Sequence, residues 1–312
     1  MTDLRLRHLL SISELDRASA VAILDSAEAF FQVSRRPVKK APTLRGKTVL
    51  NLFFENSTRT RTSFELAGKR LSADVVNISA STSSTKKGET LRDTLQTLDA
   101  MHPDVVVIRH SASGAAEYLS KKSKSAIVNA GDGMHQHPTQ ALLDAFTMRR
   151  HLSGLESKQI AICGDIQHSR VARSNAQLLK MLGATVRFAA PRTMWPAVPG
   201  ALGVPIFDRL EPALEGADVV MMLRIQQERL GTALFPTTRE YSRLWGLNMT
   251  RLGLAKKGAL VMHPGPMNRG VEINDDVAES DQAVILDQVE AGVAVRMTVL
   301  YLCASEPGSE PS

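Results

Sequence analysis

Short β-branched runs alternate with longer stretches of helical periodicity along most of the chain. In the first half the runs are Val49 to Phe54, Asp74 to Ser79, Asp104 to Arg109 and Ala126 to Ala130. In the second half they are Gln159 to Cys163, Ala184 to Phe188, Asp218 to Leu223, Ala259 to Met262 and Ala283 to Leu286. Their apolar character is continuous rather than alternating, which indicates strands covered by helices on both faces, as in parallel sheets. Two such sets predict an α/β fold of two doubly wound parallel-sheet domains.

From Pro138 to His151 a helical pattern carrying Leu142, Leu143, Phe146 and Met148 runs without an internal Gly or Pro, and reads as one helix bridging the halves. The division is expected near His151 to Ser157, giving domains at residues 1–150 and 151–290. Beyond it, the apolar segment from Val293 to Ala304 reads as a last helix, and the C-terminal stretch 291–312 is expected to pack back on the first domain. The polar tail from Ser305 to Ser312 is expected to fray.

Composition narrows the function. At 312 residues and 43% hydrophobic, the chain exceeds what one small core organises. A net charge of +6 is dispersed along the chain and aromatics make up only 4%, so the excess suits small anionic substrates rather than nucleic acid. Cys163 and Cys303 lie far apart without a CxxC, which argues against a disulfide framework and a thiolate zinc site. The N-terminal residues have no apolar signal core, and no stretch approaches the roughly 20 apolar residues of a membrane span. A cytoplasmic location without membrane contact is the expectation.

The densest chemistry is Ser57-Thr58-Arg59-Thr60-Arg61, placed between an apolar run and the helix-like segment that starts at Thr62. Hydroxyls, guanidinium groups and the free amides of a helix N-terminus suit a phosphate, although Ser and Thr also serve as ordinary N-caps. A hydroxyl-rich run from Ser79 to Thr85 leads into Lys86-Lys87-Gly88-Glu89-Thr90. It reads either as an exposed loop or as a mobile basic lid over an anionic site.

Two nucleotide signatures fail. Ala41-Pro42-Thr43-Leu44-Arg45-Gly46-Lys47-Thr48 resembles a relaxed P-loop, but it leads into a strand instead of a helix. Gly164 stands alone after its strand, so a dinucleotide cofactor is disfavoured. His137 and Gln140 come after the turn Gly131-Asp132-Gly133, three residues apart, and can aim an imidazole and a carboxamide at one ligand. His135 and His137 lack a third ligand of suitable spacing, so neither metal nor cofactor is expected.

Taken together, Phe54-Glu55-Asn56-Ser57-Thr58-Arg59-Thr60-Arg61, Lys86-Lys87-Gly88-Glu89-Thr90, Val107-Ile108-Arg109-His110, His137-Pro138-Thr139-Gln140 and His263-Pro264-Gly265-Pro266 closely resemble the carbamoyltransferases in order and spacing. The resemblance covers nearly the whole chain and is to the aspartate branch, since the ornithine branch carries His-Cys-Leu-Pro where this chain has His263-Pro264-Gly265-Pro266. It implies transfer of the carbamoyl group of carbamoyl phosphate to L-aspartate in pyrimidine biosynthesis. The alternatives are another amino-acid acceptor such as ornithine, or a non-catalytic anion-binding relative.

Residue by residue, the resemblance makes residues 1–150 the carbamoyl-phosphate domain and 151–290 the aspartate domain. It assigns the phosphate to Ser57, Thr58, Arg59 and Thr60, and both phosphate and carbonyl oxygen to Arg109. The carbonyl would also meet His137, while Gln140 and the backbone carbonyls of Gly265 and Pro266 would take the carbamoyl amide hydrogens. Ser83 and Lys87 would come from an adjacent subunit of a homotrimer with shared active sites. The aspartate carboxylates would meet Arg170, Arg224 and Gln226, with help from Lys87; the catalytic set would be Thr60, Lys87, Arg109 and His137. His263-Pro264-Gly265-Pro266-Met267-Asn268-Arg269-Gly270 departs from the regulated bacterial pattern, which disfavours a nucleotide-binding regulatory chain and favours a chain that works alone or with dihydroorotase.

Overall fold

The computed structural model describes residues 4–79, 90–225 and 237–304. They divide into two units, one formed by residues up to Phe146 together with those from Glu290 onward, the other by Thr147–Val289. Each is a parallel sheet with helices, as the continuous apolar runs require.

In the first unit, α1 (Arg17–Arg35) is capped by Asp16, whose carboxylate accepts from the Ser19 amide at 2.7 Å. The sheet comprises β1 (Thr48–Phe53), β2 (Asp74–Ser79), β3 (Val105–His110) and β4 (Ala126–Asp132), all parallel, in the order β2-β1-β3-β4. Between the strands lie α2 (Thr58–Arg70), α3 (Leu91–Asp99) and α4 (Ala115–Ser120), and after them comes α5 (Pro138–His151). Leu52, Leu95, Val106, Ile108, Leu119 and Ile127 form one buried cluster that joins the sheet to α3 and α4. Burying such side chains contributes about 1.5–3 kcal/mol each, which is what holds the strand ends and their loops in register.

The second unit carries β5 (Gln159–Cys163), α6 (Arg170–Met181), β6 (Thr185–Ala189), β7 (Ile206–Phe207), α7 (Leu210–Leu214) and β8 (Val219–Met222). It continues with α8 (Thr238–Trp245), α9 (Met249–Leu252), β9 (Leu260–Met262) and α10 (Asp275–Ala278). Its parallel sheet runs β7-β6-β5-β8-β9. The last helix, α11 (Ile285–Ala304), belongs mostly to the first unit.

Two expectations are corrected. The run from Ala283 to Leu286 forms no strand: Ala283 makes a single bridge to Val261, and the helix starts at Ile285, eight residues before Val293. Asp287, Gln288 and Glu290 interrupt the apolar run, and Leu286 is 81% exposed, so the segment satisfies its backbone by coiling. The short strand β7 is not expected from its two half-buried residues. The tail from Ser305 onward lies outside the described residues.

In both sheets the strand order reverses about a central pair, β1 with β3 and β5 with β8. Open α/β sheets bind ligands in the crevice that such a reversal leaves at the carboxyl ends of those strands.

Candidate active site

The first crevice is built by the segments that leave β1, β3 and β4. Ser57 is the N-cap of α2, yet its side chain makes no capping hydrogen bond, and the next amide to close the helix is that of Arg61, which donates to the Ser57 carbonyl at 3.0 Å. The first-turn amides of Thr58 to Thr60 therefore precede the intrahelical ladder, at the positive end of the helix dipole. Thr58 and Arg59 are exposed and Thr60 is buried.

Arg109 sits beside this turn. Phe53 pairs with Arg109 in the β1–β3 ladder, and the Phe54 amide donates to the Arg109 carbonyl at 2.9 Å. A register shift between Ile108 and His110 against β4 marks an irregularity at Arg109, the kind of break that re-aims a side chain. The guanidinium is held at both ends: Nη1 donates to the Ala130 carbonyl at 3.1 Å, and Nε lies 3.3 Å from the Glu55 carboxylate. Glu55 belongs to the Phe54–Arg61 motif, but only its acidity beside a chain of cations hints that it would brace Arg109.

His137 and Gln140 come from the turn joining β4 to α5. His137 is buried, and its carbonyl accepts the Gln140 amide at 3.0 Å, so it occupies the helix entry with Pro138 as first helical residue. The turn is braced by Asp132. One carboxylate oxygen accepts from the Gln136 amide at 3.0 Å and from Asn129 Nδ2 at 2.8 Å. The other accepts from the Gly114 amide at 2.6 Å and lies 3.1 Å from the His135 ring. Gly133 has φ of +46°, and a Cβ there would fall 2.7 Å from the Ser113 amide nitrogen, so the turn requires glycine. His135 thus serves as a structural partner of Asp132, and no metal-ligating cluster occurs among the described residues.

The second unit repeats the plan with cations. Gly164, with φ of +124°, comes directly after β5; a Cβ there would meet Leu223 Cβ at 3.1 Å and its carbonyl at 3.3 Å, so only glycine lets the loop pass. Buried Asp165 accepts from the His168 amide at 3.1 Å, shaping the approach to α6. Ser169 caps that helix, accepting the Ala172 amide at 3.1 Å, and Arg170 is its buried first residue. Arg224 lies two residues beyond the end of β8 and is half-buried.

Gly265 and Pro266, joined by a cis peptide bond, lie just beyond β9. The Gly265 amide donates to His263 Nδ1 at 2.8 Å, which puts the ring proton on Nε2, 3.0 Å from the Glu272 carboxylate. The same carboxylate oxygen accepts the Asn268 amide at 2.7 Å. His263 and Glu272 are fully enclosed, so this pair ties both ends of the 263–272 loop. The sequence marks His263 only as part of a motif and gives no sign of Glu272, which lies nine residues away.

The structure thus brings Ser57, Thr58, Arg59, Thr60, Arg109, His137 and Gln140 to the crevice end of the first sheet, and Arg170, Arg224, Gly265 and Pro266 to that of the second. Ser83, Lys87 and Gln226 lie outside the described residues.

Residues 7–150 match the family described as aspartate/ornithine carbamoyltransferase, carbamoyl-P binding domain, and residues 156–303 match its Asp/Orn binding domain. The aspartate carbamoyltransferase catalytic subunit of Sorangium cellulosum is 67% identical over 300 residues, covering 96% of this chain and 94% of the relative. That of Syntrophotalea carbinolica is 58% identical over 306 residues, covering 98% of each. Among solved structures, Trypanosoma cruzi aspartate transcarbamoylase in complex with carbamoyl phosphate and aspartate superposes with a TM-score of 0.86 at 30% identity, over 97% of this chain and 98% of that one.

Asp132 supplies a pH test of the turn. Burial alone would raise its carboxyl, but hydrogen bonds from His135, Asn129 and the Gly114 amide outweigh it and hold the group below the ordinary carboxylate range. The ionised carboxylate therefore contributes stability that is present above about pH 4 and lost as pH falls through the lower folded value. Asp132→Asn should cost about 1–3 kcal/mol at pH 7, because its new NH2 faces other donors. In urea unfolding the gap to the unaltered protein should close below about pH 4. A gap independent of pH would show that the charge is not what braces the turn.

Proposed function

The chain belongs to the aspartate/ornithine carbamoyltransferase family, and from that premise we propose the reaction it catalyses. The amine of L-aspartate attacks the carbonyl carbon of carbamoyl phosphate, a C–N bond forms, and the C–O bond to phosphate breaks. The products are N-carbamoyl-L-aspartate and phosphate, a step of de novo pyrimidine synthesis. The observation that carries this reading is the pairing of a helix-terminus cradle and Arg109 in one crevice with Arg170 and Arg224 in the other.

The chemistry asks for such a set. A dianionic acyl phosphate and a dicarboxylate together bring about four negative charges. Arg59, Arg109, Arg170 and Arg224, with Lys87, supply five cations to hold them. Ser57, Thr58, Arg59 and Thr60 take the phosphate, which the open first turn of α2 supports. Arg109 spans phosphate and carbonyl oxygen, its guanidinium oriented by Glu55 and the Ala130 carbonyl. The carbamoyl amide hydrogens go to Gln140 and to the Gly265 and Pro266 carbonyls. As the tetrahedral intermediate forms, its oxyanion is met by Thr60, Arg109 and His137, one such donor being typically worth about 3–4 kcal/mol. The departing phosphate accepts the amine proton, so these residues need include no acidic base. Arg170 and Arg224, with Gln226 and Lys87, bind the two aspartate carboxylates.

We further propose a homotrimer in which Ser83 and Lys87 complete the neighbour's site, and a cytoplasmic location, which the free thiols of Cys163 and Cys303 suit. Cell fractionation tests the location, and native mass spectrometry tests the trimer with or without dihydroorotase or a regulatory chain.

Acceptor specificity is the direct test of the reaction. Phosphate release should be rapid with L-aspartate and at background with L-ornithine, whose side-chain ammonium is repelled where a second carboxylate is wanted; equal turnover would sink the aspartate assignment.

Cradle and carbonyl roles separate kinetically. Arg59→Ala should weaken carbamoyl phosphate roughly tenfold to a hundredfold and slow turnover, because the phosphate is held in ground and transition states alike. His137→Ala should lower kcat by about 10²–10³ with a smaller change in carbamoyl phosphate affinity. Unchanged affinity in Arg59→Ala would contradict the cradle.

Shared sites have a genetic signature. Nearly inactive Lys87→Ala and Arg59→Ala chains, mixed and allowed to exchange subunits, should regain activity in proportion to the hybrid fraction. Exchange confirmed by mass spectrometry without any recovery would show that Lys87 does not serve a neighbour.

A further inference from the structure

Behind Gln140 of the first crevice lie two buried polar residues, Asp144 and Arg296, to which the motifs assign no part in carbamoyl transfer. Gln140 and Asp144 stand one turn apart on the same face of α5. Gln140 Nε2 donates to Asp144 Oδ1 at 2.9 Å; Gln140 is 8% exposed and Asp144 not at all. An ionised carboxylate can only accept, so it dictates which end of the glutamine amide it receives. The nitrogen turns to Asp144, and Oε1 is directed away from it. Flipping the amide would set two acceptors against each other in the interior, where an unsatisfied polar group costs most.

A buried cation, Arg296, stands in the field of Asp144. Arg296 on α11 is enclosed, lies over the Phe64 ring of α2 at 5.1 Å, and donates from Nη1 to the Gly292 carbonyl at 3.3 Å. Room for this guanidinium depends on Gly292, where a Cβ would fall 2.6 Å from Arg296 Nη1 and 3.2 Å from Leu143 Cδ2. Burial lowers the Arg296 pKa to about 10, the Asp144 charge opposes that fall and Arg59 adds to it, so at neutral pH the group remains a cation. A lone buried carboxylate would tend to take up a proton and could then donate, losing its hold on the glutamine.

We propose that Asp144 is a positioning residue that fixes the Gln140 amide with its oxygen presented to the amino group of carbamoyl phosphate, and so sets the preference for a carbamoyl over an acetyl group. The inference rests on the carbamoyl-transfer reading. The carbamoyl nitrogen offers only N–H donors here, whereas the methyl group of acetyl phosphate, otherwise alike in shape and charge, offers none.

Equilibrium binding of carbamoyl phosphate and acetyl phosphate to the purified enzyme and its variants tests this. Asp144→Asn can satisfy Gln140 in either orientation, so it should weaken carbamoyl phosphate roughly tenfold while changing acetyl phosphate less than about twofold. Gln140→Ala should show the same selective loss, and adding Asp144→Asn to it should change nothing more. Should the single substitution unfold the chain, Asp144→Asn with Arg296→Met leaves no lone buried cation and should give the same pattern. Equal weakening of both ligands, or an effect of Asp144→Asn that persists in the Gln140→Ala background, would overturn the positioning role. If the unaltered protein itself fails to distinguish the two acyl phosphates, the carbamoyl reading fails instead.

Discussion

Each sheet is laid down outward to one edge, after which the chain returns to the centre and proceeds to the other edge; this reversal governs where chemistry can sit. Loops leaving the two central strands diverge to opposite sides and open a crevice between them. In the first unit the loop after β1 leads to the α2 N-terminus and the carboxyl end of β3 carries Arg109. In the second, the loops after β5 and β8 carry Arg170 and Arg224. One topological rule thus places cationic residues at a crevice in each unit, and the apolar strands beneath supply the rigidity that holds them.

Rigid strands alone would leave long cationic side chains free to wander, and in this protein buried and half-buried acids restrain the loops and side chains at the crevices. Glu55 braces Arg109, Asp132 holds the turn before His137, and Glu272 with His263 ties the loop of Gly265 and Pro266. Asp144 does the same for Gln140. Such pairs are costly to bury, and their value lies less in stability than in orientation, since a carboxylate accepts hydrogen bonds and never offers one. The recurring device is an acid placed behind a donor or amide at the crevice end of a sheet.

Much of this is legible in the sequence. Continuous β-branched runs predict parallel strands, because covering both faces of a sheet demands apolar residues throughout. The Ser57–Arg61 run stands between strand and helix as its neighbours predict, and the ordered motifs point to the carbamoyltransferases. Strand ends are less legible, since Ala283 to Leu286 has strand-like composition but polar neighbours that favour a helix.

What only the tertiary structure decided is which residues stand behind the motif residues. Glu55 and Arg109 are 54 positions apart and meet because β1 and β3 pair in register. Asp144 and Arg296, separated by 152 positions, come into each other's field because α11 returns to the first unit. Local pattern fixes the kind of element and the chemistry it can display, since both depend on neighbours along the chain. Partnership between buried charges depends on long-range packing, for which the sequence carries no periodic signal.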